Sequence, residues 1–323
     1  MRKFLALFTV AALTISISGC AAGSANDAMY SGVKQTCDNF TTGENAAQIK
    51  VTGPANTVPK VNFANGITSD KIETQVISEG TGPKFLGDQF ISIDFIALNG
   101  KTGATLSSTS FNGTDAAAQL IKSGQNPDFC HALAGVKEGS RVAVLLPAKF
   151  AHDGKGNASA GLDADASVIY VIDLRRVYLQ QAVGTVEPAV AGMPTVVRAP
   201  NGQPGVTQSG KAPSQFKKST LIKGAGAAVA MGDTVTLHYT GVVWGGAQFD
   251  SSWSNGSPVQ FPMVDGQLIP GFIKAIVGET VGSQVIAVIP PSDGYGATAQ
   301  GSIPANSTLI FVIDILGTDK PAK

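Results

Sequence analysis

The chain has 323 residues, room for about two domains at the usual ~100–200 residues each. Lys plus Arg and Asp plus Glu both number 23, so the net charge is zero, which argues against a nucleic-acid or anionic-membrane footprint of clustered positive charge. Only 14% of residues are charged while 38 are Gly and 17 are Pro, a balance that favours strands and turns over helical bundles.

In chain order, Arg2 and Lys3 precede an apolar run from Phe4 to Ile17, then Ser18, Gly19 and Cys20. A basic start and a short apolar core ending in small residues read as an export signal over residues 1–19. The run is shorter than the ~20 apolar residues of a spanning helix. Ile17-Ser18-Gly19-Cys20 resembles a bacterial lipoprotein cleavage box, which implies lipidation of Cys20 as the first mature residue; the alternative is an ordinary secretory signal with a chance Cys. Multiple acyl chains would then anchor the protein to a cell membrane, facing its extracytoplasmic side. Residues 20–45 open with small polar residues and are expected to be a tether.

Cys37 and Cys130 then remain as a pair in an exported protein, which favours a disulfide over two separate buried thiols. The cysteines and three His have no CxxC or HxxxH spacing, so no metal site is expected.

Asp88–Ala97 alternates apolar residues and predicts a half-buried strand. Phe129–Val136 predicts a short helix, and Gly139–Leu146 and Ser167–Val177 predict further strands. Residues 181–214, rich in Gly, Pro, Ala and Val without a steady period, read as a linker with one edge strand near Thr195–Arg198. A lead-in strand is expected at Ser219–Lys223, then strands at Asp233–Val243, Gly282–Ile289 and Thr308–Leu316. Pro270–Val277 has apolar residues at helical spacing, with Gly278 as a stop. Gly139-Ser140-Arg141-Val142 echoes Gly282-Ser283-Gln284-Val285, and Ser167–Leu174 echoes Thr308–Leu316. The offset of about 141–143 residues predicts a tandem duplication.

Five blocks then follow in order: His238-Tyr239-Thr240-Gly241, Phe249-Asp250-Ser251-Ser252, Leu268-Ile269-Pro270-Gly271-Phe272, Asp293-Gly294-Tyr295-Gly296-Ala297, and Ile303-Pro304 with Leu309-Ile310-Phe311. Together they make Leu221–Gly317 resemble a peptidyl-prolyl cis/trans isomerase of the FK506-binding-protein (FKBP) type. The resemblance implies an α+β fold of two FKBP-like domains, each a curved antiparallel β-sheet wrapped around one short α-helix. The expected division is a degenerate domain over 46–180 and an isomerase domain over 215–318. Asp250, Tyr239 and Tyr295 are implied as catalytic. Phe249, Phe261, Leu268, Ile269, Phe272, Ile303 and Phe311 are implied to bind substrate, with Phe272 under the proline ring and Ile303 closing the rim. No cofactor is implied. The implied partners are unfolded or exported proline-containing polypeptides and macrolide ligands, with no nucleic acid.

Some positions depart from the family pattern. The floor position, often Trp, is Phe272; Val259 replaces a second aromatic and Asn255 a basic residue. These bear on substrate preference and macrolide affinity more than on catalysis. In the first domain the offset puts Phe95 at Tyr239, Leu106 at Asp250, Asn126 at Ile269 and His152 near Tyr295. Of these positions only Phe129, at Phe272, and Tyr170, at Phe311, read as retained, so this domain is expected to be structural or to bind a partner. A peptide-binding chaperone or adaptor without turnover is the alternative reading of the whole chain.

Overall fold

A computed structural model describes residues 29–30 and 33–321. The export signal and Cys20 lie outside the described residues. Two antiparallel sheets are each preceded by a β-hairpin. The first set comprises β1 (Lys50–Thr52), β2 (Lys60–Asn62), β3 (Glu73–Ser78), β4 (Phe90–Asn99), β5 (Thr105–Ser108), β6 (Ala117–Leu120), α1 (Phe129–Leu133), β7 (Arg141–Leu146), α2 (Ala148–His152) and β8 (Val168–Val177). The second comprises β9 (Thr185–Val186), β10 (Thr195–Arg198), β11 (Pro204–Thr207), β12 (Lys217–Lys223), β13 (Thr234–Val243), β14 (Gln248–Ser251), β15 (Val259–Pro262), α3 (Pro270–Ile276), β16 (Gln284–Ile289) and β17 (Leu309–Asp319).

The first sheet runs β3-β7-β8-β4-β5 with β6 also on β4; the second runs β12-β16-β17-β13-β14 with β15 also on β13 and β9 added outside β12. The order is the same because the alternation is the same. On β13, Val235, Leu237 and Tyr239 point into one core with Phe272 and Ile276 of α3. On β4, Ile91, Ile93 and Phe95 do so with Phe129 and Leu133 of α1. Helix α3 begins at Pro270, whose fixed φ suits a first helical position. It lies close on the sheet because Gly271 has no Cβ, which would collide with Ile289 Cγ2.

The opposite face of each sheet is also apolar and also covered. Ile96, Leu98, Ala143, Leu145, Ile169 and Val171 lie beneath Val51 and Val61 of the β1–β2 hairpin. Val242, Ile286, Ile310 and Val312 lie beneath Met193, Val196 and Val206 of the β10–β11 hairpin. Thus Thr195–Arg198 is no edge strand of the sheet, and the segment read as a linker is a packed cover. Its short strands gain their stability from the face they bury rather than from length.

The tether reading is also corrected within the described residues, where Met29 is buried and the Tyr30 hydroxyl donates to Val177 O at 2.6 Å. Thr36 N–H donates to Leu86 O at 2.9 Å and Phe40 N–H to Ala134 O at 2.8 Å. Cys37 is disulfide-bonded to Cys130 of α1.

The two sheets meet through Tyr178, just beyond β8. Its hydroxyl donates to Asp319 Oδ2 at 2.6 Å, and its ring lies 5.7 Å from that of Phe90. Gly317 admits the ring, because a Cβ there would strike Tyr178. Arg176 bridges Glu138 at 3.1 Å and Asp319 at 2.7 Å. Beyond Tyr178, the Ala182 N–H donates to Asp314 Oδ2 at 2.8 Å and the Val183 N–H to Gly282 O at 2.9 Å, fixing the connection to the second sheet.

Candidate active site

Aromatic side chains from several elements converge on the concave side of the second sheet. Phe272 of α3 meets Phe311 of β17 at 5.1 Å, Phe261 of β15 at 5.8 Å and Tyr239 of β13 at 6.1 Å, each near perpendicular. Phe249 of β14 meets Phe311 edge-on at 5.5 Å. Such edge-to-face contacts favour the ring quadrupoles and hold the walls in fixed orientations. Phe249 crosses β13 where Gly241 makes room; any Cβ at Gly241 would strike its ring. The rings enclose a cavity of about 410 Å³, also lined by Asp250, Leu268, Ile269 and Tyr295.

Asp250 is the one carboxylate on this wall. Its Oδ2 accepts from the Tyr239 hydroxyl and its Oδ1 from the Ser251 N–H at 2.8 Å. Burial, followed by the Asp250 bond and charge, pushes the Tyr239 phenol well above its ordinary value. Tyr239 therefore remains a donor at any physiological pH. Tyr295 lies on the loop after β16 and is 37% exposed. That loop is tied to α3 by Lys274 Nζ and Asp293 Oδ1 at 2.6 Å. Ile269, immediately before α3, carries a backbone N–H without an intrahelical acceptor.

Nine of the sequence-derived residues thus share one cavity wall: Tyr239, Phe249, Asp250, Phe261, Leu268, Ile269, Phe272, Tyr295 and Phe311. Ile303 does not. It is 5% exposed within the core, because a turn pairing Gln300 N–H with Ile303 O at 3.0 Å, and the reverse at 2.8 Å, folds it inward. Gly266, Gln267 and Pro270 complete the wall instead. Sequence reading missed them because small and polar residues carry no periodic signal, although Pro270 lay within a recognised block.

The first sheet places different chemistry at the matching positions. Ala97 and Gly241 correspond, lying opposite Tyr170 and Phe311. Across from them on the next strand stand Ser107 and Asp250. Ser107, not Leu106, therefore occupies the Asp250 position, and Leu106 matches Phe249; the bulge is the same in both pairs, and the single-residue slip arises because the turn from Leu98 to Thr105 is one residue longer than that from Val242 to Gln248. Phe129 and Tyr170 meet at 5.0 Å, and Phe95 and Tyr170 at 6.2 Å, so the aromatic frame persists. Asn126 donates to Lys149 O at 3.2 Å and to Asp153. His152 accepts from the Gly156 N–H at 2.9 Å through Nδ1, which leaves Nε2 to donate to Ala166 O at 2.8 Å. Both ring nitrogens are committed to loop structure, which leaves no nitrogen for base chemistry.

Residues 226–316 match the family model for FKBP-type peptidyl-prolyl cis-trans isomerases. The FK506-binding protein of Streptomyces anulatus is 36% identical over 110 residues, which cover 33% of this chain and 89% of that protein. This chain belongs to the FKBP-type peptidyl-prolyl cis-trans isomerase family. FK506-binding protein 2 of Yarrowia lipolytica is 45% identical over 89 residues, 27% of this chain and 62% of that protein. The FKBP-type isomerase FkpA of Aeromonas hydrophila is 40% identical over 99 residues, 31% of this chain and 36% of that protein. The chain thus spans less than two thirds of the length of these last two FKBP relatives. The FKBP match falls on the second sheet and the aromatic cavity, and not on the first sheet.

Proposed function

We propose that the second sheet and its helix accelerate cis/trans isomerisation of Xaa-Pro bonds in folding, exported polypeptides. The observation that carries this is the aromatic cavity with the Asp250–Tyr239 pair in its wall. Rotation about the bond has a barrier of about 18–20 kcal/mol because the amide is resonance-stabilised. The twisted state has lost that resonance and much of its charge separation, so a cavity poor in water favours it over the planar ground state. No covalent step is needed. Phe272 lies under the proline ring, Asp250 faces the twisting bond with its position fixed by Tyr239, and the Tyr295 hydroxyl and Ile269 N–H hold substrate carbonyls. A thousandfold acceleration asks for about 4 kcal/mol, within reach of cavity shape and a few hydrogen bonds.

In this reading the first sheet, with Ser107 in place of a carboxylate, is a degenerate FKBP-like domain with a structural or partner-binding role. The chain is anchored by lipid on Cys20 to the outer side of a cell membrane; among the described residues no helix is long and apolar enough to cross one. Macrolide ligands would enter the same cavity. The test is refolding of a protein limited by prolyl isomerisation, with full-length chain and its Asp250→Ala and Tyr295→Phe variants. Acceleration by the wild type and sharp loss in both variants is expected. Binding of unfolded chains with no acceleration would instead make it a peptide-binding chaperone. Acyl incorporation that disappears in Cys20→Ala tests the anchor.

A further inference from the structure

Asp250 sits on a four-residue strand whose pairing with β13 is bulged between Gly241 and Val242, so the strand alone holds it weakly. The next residues do more. Ser252 is fully buried; its Oγ accepts from the Tyr239 N–H at 2.8 Å and lies 2.8 Å from His238 Nδ1. Trp253 then stacks on the His238 ring, centroids 3.8 Å apart and planes 17° from parallel. The far edge of the indole abuts the turn between β10 and β11. A Cβ on Gly202 of that turn would lie 2.8 Å from Trp253 Cη2 and would meet Gln181 Oε1. The indole Nε1 is buried without a hydrogen-bond partner among the described residues. Stacking and these contacts, not a polar bond, therefore hold the ring.

We infer that Trp253 is a positioning residue for the active site, clamped between His238 and the β10–β11 turn, so that a hairpin outside the family-matched region fixes Asp250 and Tyr239. Gln181 and Gly202 both precede residue 226, where the family match begins. The clamp touches neither the cavity floor nor Phe272, so its loss should alter the twisting step more than substrate capture. The inference rests on the isomerase reading above.

The test uses the full chain and steady-state kinetics on a prolyl peptide. Trp253→Ala should lower kcat about tenfold with KM changed less than about twofold. Trp253→Phe, which keeps a stacking ring and forfeits no hydrogen bond, should restore kcat to within about twofold of wild type. Gly202→Ala should reproduce the kcat loss by pushing on the indole. Gly210→Ala should not, although Gly210 also has a positive φ (75° against 93° at Gly202), because no atom lies within 4 Å of its would-be Cβ. Unchanged kcat in Trp253→Ala, or equal losses in the two glycine variants, would overturn the inference. A second readout is independent of activity. In a Trp244→Phe chain Trp253 is the remaining tryptophan, since the sequence holds two. Acrylamide quenching of its emission should rise with Gly202→Ala and stay unchanged with Gly210→Ala. An inactive wild type would overturn the isomerase reading, and the quenching comparison would still decide whether the clamp exists; equal quenching in both variants refutes it.

Discussion

Replacing Asp314 by Asn removes a carboxyl group that is 1% exposed on β17. Its Oδ2 accepts from the Ala182 N–H at 2.8 Å and its Oδ1 from Gln284 Nε2 at 2.7 Å. Burial outweighs these donors and pushes its pKa up to about 6 from 3.8. An acid raised in the folded state binds its proton more tightly there than in the unfolded chain. Its stabilising contribution is complete below about pH 4 and is lost as pH rises through about 6. At roughly 1.4 kcal/mol per pKa unit, the gap of about two units removes about 3 kcal/mol between pH 4 and pH 7. An Asn side chain keeps an acceptor for Ala182 and donates to Gln284 once that amide turns over, without titrating. The stability of the variant relative to wild type should therefore grow by about 3 kcal/mol from pH 4 to pH 7. Trp244 and Trp253 follow β13 and β14, so urea unfolding monitored by tryptophan emission reads this sheet. A stability difference between the two chains that is constant across this range would refute the reasoning.

His238 works in the opposite sense. Burial pushes its pKa down to about 4 from 6.5, so the stability it gives is complete above pH 6.5 and drains as pH falls toward 4. His238→Gln should flatten that fall by about 3 kcal/mol, measured by the same unfolding series. Tyr239→Phe strips the hydroxyl from Asp250 and should reduce kcat/KM about 10–100-fold, the worth of one hydrogen bond to a charged group, in a prolyl-peptide assay. Cys37→Ser opens a crosslink between residues 93 apart in sequence. The chain-entropy relation gives a loss of about 4–5 kcal/mol, expected as a lower melting temperature for the first sheet while isomerase turnover at 25 °C holds. An equal drop in turnover would show that the first sheet's integrity governs the second's cavity.

The cavity lining could be read from the chain because each contributor sits in a short block whose aromatic, Asp or Pro-Gly residues carry chemistry on their face. Ile303 shows where that fails. It follows a run of small polar residues, and only the turn closing on Gln300 determines that it points inward. The match of Leu106 with Asp250 failed for a related reason, since a fixed offset cannot see that the turn from Leu98 to Thr105 holds one residue more than that from Val242 to Gln248, which puts Ser107 opposite Ala97. The β10–β11 hairpin resembled a linker because strands of four residues with Gly and Pro show no period. Its identity comes from the apolar face of Val242, Ile286, Ile310 and Val312 that it covers. Trp253 and His238 were visible as residues, but their stacking links segments that the sequence does not connect.

The hairpins also bear on where the repeating structural unit begins. Lys50, Lys60, Glu73 and Phe90 open β1 to β4, and Thr195, Pro204, Lys217 and Thr234 open β10 to β13, each pair separated by 144 or 145 residues, close to the 141–143 that separate the later strands of the two sheets. The repeating unit is then hairpin plus sheet, in that order, and its border lies well ahead of residue 226. A fragment cut at the family boundary would leave out β10, β11 and β12 and bare a strip of valine and isoleucine to water. Anyone excising the second module for study or grafting should cut before Thr185, where the chain has passed Gln181 and the bond from Ala182 to Asp314, or earlier still to keep both.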